Sequence, residues 1–315
     1  MKSIIVTGGA GFIGSHVVDR IVDSGEYQVI VVDNLLGSNF NPPFFRNDLV
    51  SYEYGDVSDY LQMKTLFETY TPDYVIHLAA NGNVPLSDKY PSVDFKSNAI
   101  GSFNILNLAK EYKIKKVVYA STAAVYGEPQ YTPIDEIHAV GPISNYGVSK
   151  LYGEQLGTAY SKTYNLPFTA FRIFNTYGPR QPRYVLFDLI KKLKNNKDSL
   201  EVLGTGLQIR DYAYVSDTAE VFFQALNNQK SNNNIYNIAG GNPISIKELV
   251  KLICDVYQIN PKINYTGESW KGDITNLTAS IEKLKQDFNF TPRVSINEGV
   301  KKTIEWFSSN QNHLR

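Results

Sequence analysis

The chain has 315 residues, 43% hydrophobic and 20% charged, a composition that suits a soluble globular protein with room for a sizeable core. Lys plus Arg and Asp plus Glu both number 31, so the formal net charge is zero and offers no basis for non-specific attraction to nucleic acid or an anionic membrane. Cys254 is the single cysteine, which excludes an internal disulfide and fits a reducing, cytoplasmic setting, and no run reaches the ~20 apolar residues of a membrane span.

In chain order, short apolar runs at residues 3–6, 28–32, 50–54, 74–78, 116–120 and 168–174 read as strands, each rich in Val, Ile, Tyr or Phe. Ile4-Ile5-Val6, in the first, is too short for the apolar region of a signal peptide and leads straight into glycines. Several runs are too uniformly apolar to show one face to water, as parallel strands covered on both sides are. Residues 12–24, 93–112 and 146–164 carry helical patterns between them. The alternation predicts an α/β fold built on a Rossmann-type, doubly wound parallel sheet. After Asn175 the texture changes: Tyr177-Gly178-Pro179-Arg180-Gln181-Pro182 reads as a loop, and shorter elements with many turn residues follow. Residues 191–197 read as a solvated basic helix end, and 227–234 as a polar, exposed connector. The expected division is a larger domain over residues 1–175, rejoined by part of about 208–240, and a smaller, mainly substrate-binding lobe over 176–315.

Gly8, Gly11 and Gly14 fall between the first strand and the first helix, where glycine permits a tight turn and lets backbone N–H groups approach a pyrophosphate. Their G-x-x-G-x-x-G spacing departs from the usual dinucleotide fingerprint, so the strand-to-helix position is what gives them weight. Asp33 closes the second strand about 20 residues further on, where a carboxylate accepts both ribose hydroxyls and repels a 2′-phosphate. NAD is therefore the expected cofactor. Tyr146 and Lys150 form a Y-x-x-x-K pair on one helix face; an ammonium beside a phenol stabilises the phenolate and would lower its pKa. Ser121-Thr122, directly after a strand, supplies a hydroxyl upstream.

These segments, with Gly55-Asp56-Val57, His77-Leu78-Ala79-Ala80, Phe174-Asn175-Thr176-Tyr177-Gly178-Pro179-Arg180 and Arg210-Asp211-Tyr212, resemble the extended short-chain dehydrogenase/reductase family nearly end to end, specifically its nucleotide-sugar epimerases and dehydratases. The resemblance implies Tyr146 as base, Lys150 as the residue that lowers its pKa and holds the nicotinamide ribose, and Thr122 as the group that binds the reacting hydroxyl. It implies an NAD site formed by Gly8, Gly11, Phe12, Ile13, Gly14, Asp33 and Asn34, with Gly37 and Ser38 near the adenosine ribose. Asp56 and Val57 would contact the adenine, Leu78, Ala79 and Ala80 would line the channel, and Asn98 would lie near the cofactor. Asn175 and Arg210 match positions that hold the substrate's diphosphate, a task suited to the planar guanidinium fork. Trp270, ahead of Lys271-Gly272-Asp273, stands where the family usually has arginine; with Arg180-Gln181-Pro182-Arg183 it is similar to short archaeal-type UDP-galactose 4-epimerases. Either Lys271 replaces that charge or Trp270 packs on sugar or base, and Asp273 belongs to the same substrate segment.

The related dehydratases carry Asp-Glu after the Thr122 position, and the decarboxylases a glutamate at the second place; here the pair is Ala123-Ala124. A 3,5-epimerase needs a further acid/base pair, and Cys254, among Leu249, Val250, Leu252 and Ile253, reads as a core residue. A 4-epimerase needs only Tyr146, Thr122 and NAD, so the expected reaction is exchange of UDP-galactose and UDP-glucose. Leu277 occupies the family's size gate beside C2 of the sugar; UDP-glucuronate and N-acetylated sugars stay open as substrates. An NAD-binding sensor or scaffold is the non-enzyme alternative, disfavoured because Tyr146, Lys150 and Thr122 are all kept. The four histidines, His16, His77, His138 and His313, show no metal-ligand spacing, and no metal is expected. The resemblance also implies a homodimer packed through residues 93–112 and 146–164.

Overall fold

The computed structural model describes residues 1–37, 47–268 and 274–310; Ser38, Trp270, Lys271, Gly272, Asp273 and His313 lie outside the described residues. The first half runs β1 (Lys2–Thr7), α1 (Phe12–Ser24), β2 (Tyr27–Asp33), β3 (Val50–Tyr54), α2 (Tyr60–Tyr70), β4 (Tyr74–His77), α3 (Val84–Lys89), α4 (Pro91–Asp94), a π-helical turn (Phe95–Ile100), α5 (Gly101–Glu111), β5 (Lys116–Thr122), α6 (Asn145–Tyr164) and β6 (Phe168–Ile173). There follow β7 (Asn175–Tyr177), α7 (Val185–Asn195), β8 (Ser199–Val202), β9 (Ile209–Arg210), β10 (Tyr212–Tyr214), α8 (Val215–Ala225), β11 (Asn234–Ile238), β12 (Ile244–Ser245), α9 (Ile246–Tyr257), β13 (Lys262–Tyr265), β14 (Asn276–Leu277), α10 (Glu282–Phe288) and α11 (Ile296–Ser309).

Among the described residues, β3, β2, β1, β4, β5, β6 and β11 form, in that order, a seven-stranded parallel sheet. The uniformly apolar strands follow from its two covered faces. Ile4, Val6, Val29, Val31 and Val118 feed one core, while Ile5, Ile30, Val32, Val117 and Tyr119 point to the other. The strand order reverses between β1 and β4, and a crevice opens beyond their carboxyl ends, as such switch points require. A third core joins α7, α9 and α11, and Cys254 is buried in it, its thiol pushed up by desolvation.

Two expectations need correction. The helix expected over residues 93–112 is interrupted by the π-turn, whose wider ring carries one extra residue; hydrophobic spacing at 3.6 cannot reveal this. The connector at 227–234 is not simply exposed. Its Gln229–Ser231 turn buries Ser231, which accepts the Lys116 Nζ at 2.7 Å, and the chain then enters the sheet as β11.

Candidate active site

The turn after β1 is shaped by glycine where nothing larger fits. Gly8 has φ +70°, and a Cβ there would lie 2.6 Å from the Ala79 nitrogen; one on Gly14 would overlap the Gly8 carbonyl. Gly11 caps α1 in extended conformation with no side-chain acceptor, so the first N–H groups of a 13-residue helix face the crevice with their dipole. That arrangement fits a pyrophosphate. At the end of β2 the Asp33 carboxylate accepts the Ala10 N–H at 3.0 Å and the Leu35 N–H at 2.8 Å, one on each oxygen, which leaves lone pairs for ribose hydroxyls; burial raises its pKa.

The crevice is a cleft of about 490 Å³. Gly8, Gly11, Phe12, Ile13, Gly14, Asp33, Asn34, Gly37 and Val57 line its adenosine and phosphate end, and Leu78, Ala79 and Ala80 its middle. Asp56 and Asn98 are not on the wall. The Asp56 carboxylate turns to Ser58, accepting its backbone N–H at 2.9 Å and its hydroxyl at 2.7 Å. Asn98, fully buried in the π-turn, accepts the Asn81 N–H at 2.7 Å and donates to Asp94 at 2.9 Å and Ser149 at 3.1 Å. It positions the loop after β4 rather than offering a contact of its own.

At the other end stand Thr122, Tyr146 and Lys150. Thr122 closes β5; Ser144 caps α6 by accepting the Gly147 N–H at 3.1 Å, and Tyr146 and Lys150 follow one turn apart. The Thr122 hydroxyl stands near enough to the Tyr146 phenol to favour its ionised form. Lys150, 1% exposed, ends 4.3 Å from the centre of the Tyr119 ring; burial brings it down to about 7, opposed by Asp94 and Glu154. Burial holds the Tyr146 phenol above its ordinary value, Tyr184 adds to that, and the Thr122 hydroxyl and the Arg183 guanidinium pull the other way.

Beneath these side chains lies an ion pair that reading the sequence missed. Glu154 is fully buried one turn after Lys150, accepting Ser121 Oγ at 2.8 Å and Arg172 at 3.0 and 2.5 Å. The pair pins α6 to β5 and β6, and so sets Tyr146 against Thr122. The available signal was a charged residue in each of two otherwise buried patterns, since buried charges come in pairs.

The remaining wall comes from the C-terminal half. Asn175 begins β7 and lines the cleft, and its buried Nδ2 finds no acceptor among the described residues. Arg210 in β9 and Leu277 in β14 are register partners, and both line the cleft. Gln181, Pro182, Arg183 and Tyr184 also line it; the stretch up to Arg183 carried the family likeness without a role, and Tyr184 had no local signal. His16, His77 and His138 serve structure. His77 bonds Thr7 Oγ1 at 2.6 Å and is kept neutral by burial, His16 meets the Pro179 carbonyl at 2.9 Å, and His138 accepts the Gln130 N–H at 2.9 Å. Among the described residues no cluster of three metal-ligating groups occurs.

Residues 4–239 match the model of the NAD dependent epimerase/dehydratase family. The chain belongs to that family. Its cofactor is NAD, and its substrates are of the nucleotide-sugar class. A Methanocaldococcus jannaschii protein named "Putative UDP-glucose 4-epimerase" is 36% identical, covering 98% of this chain and 99% of the relative. A UDP-glucuronate 4-epimerase from Thermodesulfobacterium geofontis is 33% identical, covering 98% and 97%. Among solved structures, the UDP-glucose 4-epimerase of Thermotoga maritima with UDP-glucose superposes with a TM-score of 0.91 at 33% identity, covering 98% of this chain and 99% of that one. These family relatives share one architecture and differ in the sugar named, so the reaction's finer detail rests on the cleft itself.

Proposed function

We propose that this enzyme interconverts UDP-galactose and UDP-glucose by inverting C4. The observation that carries the reading is that Thr122, Tyr146 and Lys150 line one end of the cleft together with Ala123-Ala124: the reacting end holds a proton-transferring phenol and a hydroxyl beside it, and no added acid or base at those positions. Two other carboxylates line the cleft among its described residues. Asp33 is at the adenosine end, and Asp88 is occupied by the Asn145 side chain at 3.0 Å. Elimination or decarboxylation would ask for a further group, whereas 4-epimerisation asks for none.

NAD, when bound, supplies a reversible hydride acceptor; Gly8, Gly11, Gly14, Asp33 and Lys150 would hold it. Thr122 orients the C4 hydroxyl, and Tyr146 takes its proton as the carbon is oxidised. Arg210 and Asn175 hold the diphosphate while the ketone turns over; hydride is then taken up at C4 on the opposite face, and Tyr146 returns its proton to the C4 oxygen. Burial opposes ionisation of the phenol, and the Arg183 guanidinium favours it. Incubation with UDP-galactose and no added cofactor should yield UDP-glucose, and absence of conversion by folded, NAD-loaded protein sinks the reading. Tyr146→Phe should lower turnover by roughly 10²–10⁴-fold while NAD stays bound.

We also propose a homodimer. Val93, Phe95, Phe103, Val148 and Tyr152 leave apolar surface exposed on the paired helices α4–α5 and α6, and light scattering in solution is the direct check.

A further inference from the structure

Residues 178–184 pass from β7 to α7 as a strap that is held at three places. The Pro179 carbonyl accepts His16 Nε2 at 2.9 Å, and Arg180 pairs with Asp19 at 2.7 Å, both on α1. At the far end the Tyr184 hydroxyl donates to the Gly82 carbonyl at 2.5 Å, joining two residues of the cleft wall 102 positions apart. Arg183 packs beside the same glycine, where a Cβ would lie 3.1 Å from its guanidinium.

The strap is not relaxed. Arg180 has φ +67°, and Tyr184 has φ 77° with ψ 171°, a combination that only glycine adopts without cost. Neither residue is glycine, and Tyr184 gives α7 no side-chain cap that would reward the geometry. A strained backbone persists where surrounding contacts over-determine it, and the hydroxyl bond of Tyr184 ties the strap to Gly82, another residue of the cleft wall. Gly82, Arg183 and Tyr184 all line the cleft, and both Arg183 and Tyr184 lie close enough to Tyr146 to act on its charge.

We propose that Tyr184 is a positioning residue whose bond to Gly82 latches the strap over the reacting end, so that the oxidised sugar is retained until its hydride returns. The inference rests on the 4-epimerase reading above. Oxidation at C4 moves a hydride to bound NAD and a proton to Tyr146, leaving a ketone that has no covalent tie to the protein. If that ketone leaves early, the free keto-sugar nucleotide appears in solution and the enzyme is stranded with reduced cofactor. A latch between two residues of the cleft wall opposes that escape.

Tyr184→Phe keeps the ring and the backbone but removes the latch. Two readouts test it on NAD-loaded protein. Amide hydrogen exchange over residues 178–185 should quicken about two- to tenfold, the range expected for one net hydrogen bond. During turnover of UDP-galactose, reduced nicotinamide absorbance and borohydride-trapped keto sugar should build up, per sugar converted, faster than in wild type by a similar factor. Unchanged exchange overturns the latch, and faster exchange without extra escape overturns its retaining role. Should wild type epimerise no UDP-hexose, the reading beneath fails separately, and the exchange comparison alone then decides whether the latch exists.

Discussion

Lys150 and Lys116 are both sealed from water, at 1% and 3% exposure, and burial brings each down to about 7. They differ in what surrounds them. Lys150 sits on α6 above the Tyr119 ring, on the cleft wall beside Tyr146. Lys116 begins β5, the strand that Thr122 ends, and donates to the Asn228 carbonyl at 2.9 Å and to Ser231 at 2.7 Å. One lysine thus faces a cavity where ligand charge gathers, and the other ties the sheet to a turn of the C-terminal half. A shifted pKa marks burial; only the neighbours say whether it marks a site.

The largest effect that tests this comparison is Lys150→Met, which should cost at least about 10²-fold in turnover in protein that remains folded. A variant within tenfold of wild type would break the comparison at its functional end. Arg210→Ala comes next. It should raise KM by roughly 10–100-fold, as expected for a lost charged hydrogen bond, with Arg210→Lys restoring little because an ammonium cannot reproduce the fork. Asp33→Ser should shrink the preference for NAD over NADP by about tenfold, read as the ratio of dissociation constants, because it removes the carboxylate that repels a 2′-phosphate.

The smallest effect on activity is expected from Lys116→Met, within about twofold of wild-type turnover, since the residue touches no part of the cleft. Its signature should appear in stability against pH. The folded pKa is about 7 and the unfolded value 10.5, so across that window the unfolded chain binds more protons and stability rises with pH. Below about 7 both states are charged and the full burial cost is present. Denaturation midpoints of Lys116→Met should therefore climb less steeply over the window than those of wild type; an unchanged slope would mean that Lys116 does not titrate on folding.

The legible part of the fold was the part written in short spans. The strand, glycine turn and helix at residues 2–24 and the carboxylate at the end of β2 are contiguous features whose spacing carries their geometry. Thr122, Tyr146 and Lys150 were recognisable as residue types, yet the environment of the phenol was not: burial and Tyr184 set it as much as any neighbour in sequence. The π-turn escaped notice because its extra residue leaves the apolar pattern almost unchanged, although it is what buries Asn98.

By itself the sequence determined the parallel sheet, the glycine turn and the Tyr146/Lys150 spacing, because each depends on periodicity or on groups within one turn of helix. Only the tertiary structure decided that Glu154 and Arg172 would pin α6, that Arg210 would stand beside Leu277, and that Tyr184 would reach Gly82. Those contacts join strands and loops distant in the chain. Their energy comes from removing charge and polar groups from water together, and no local pattern records which distant partner completes the pair.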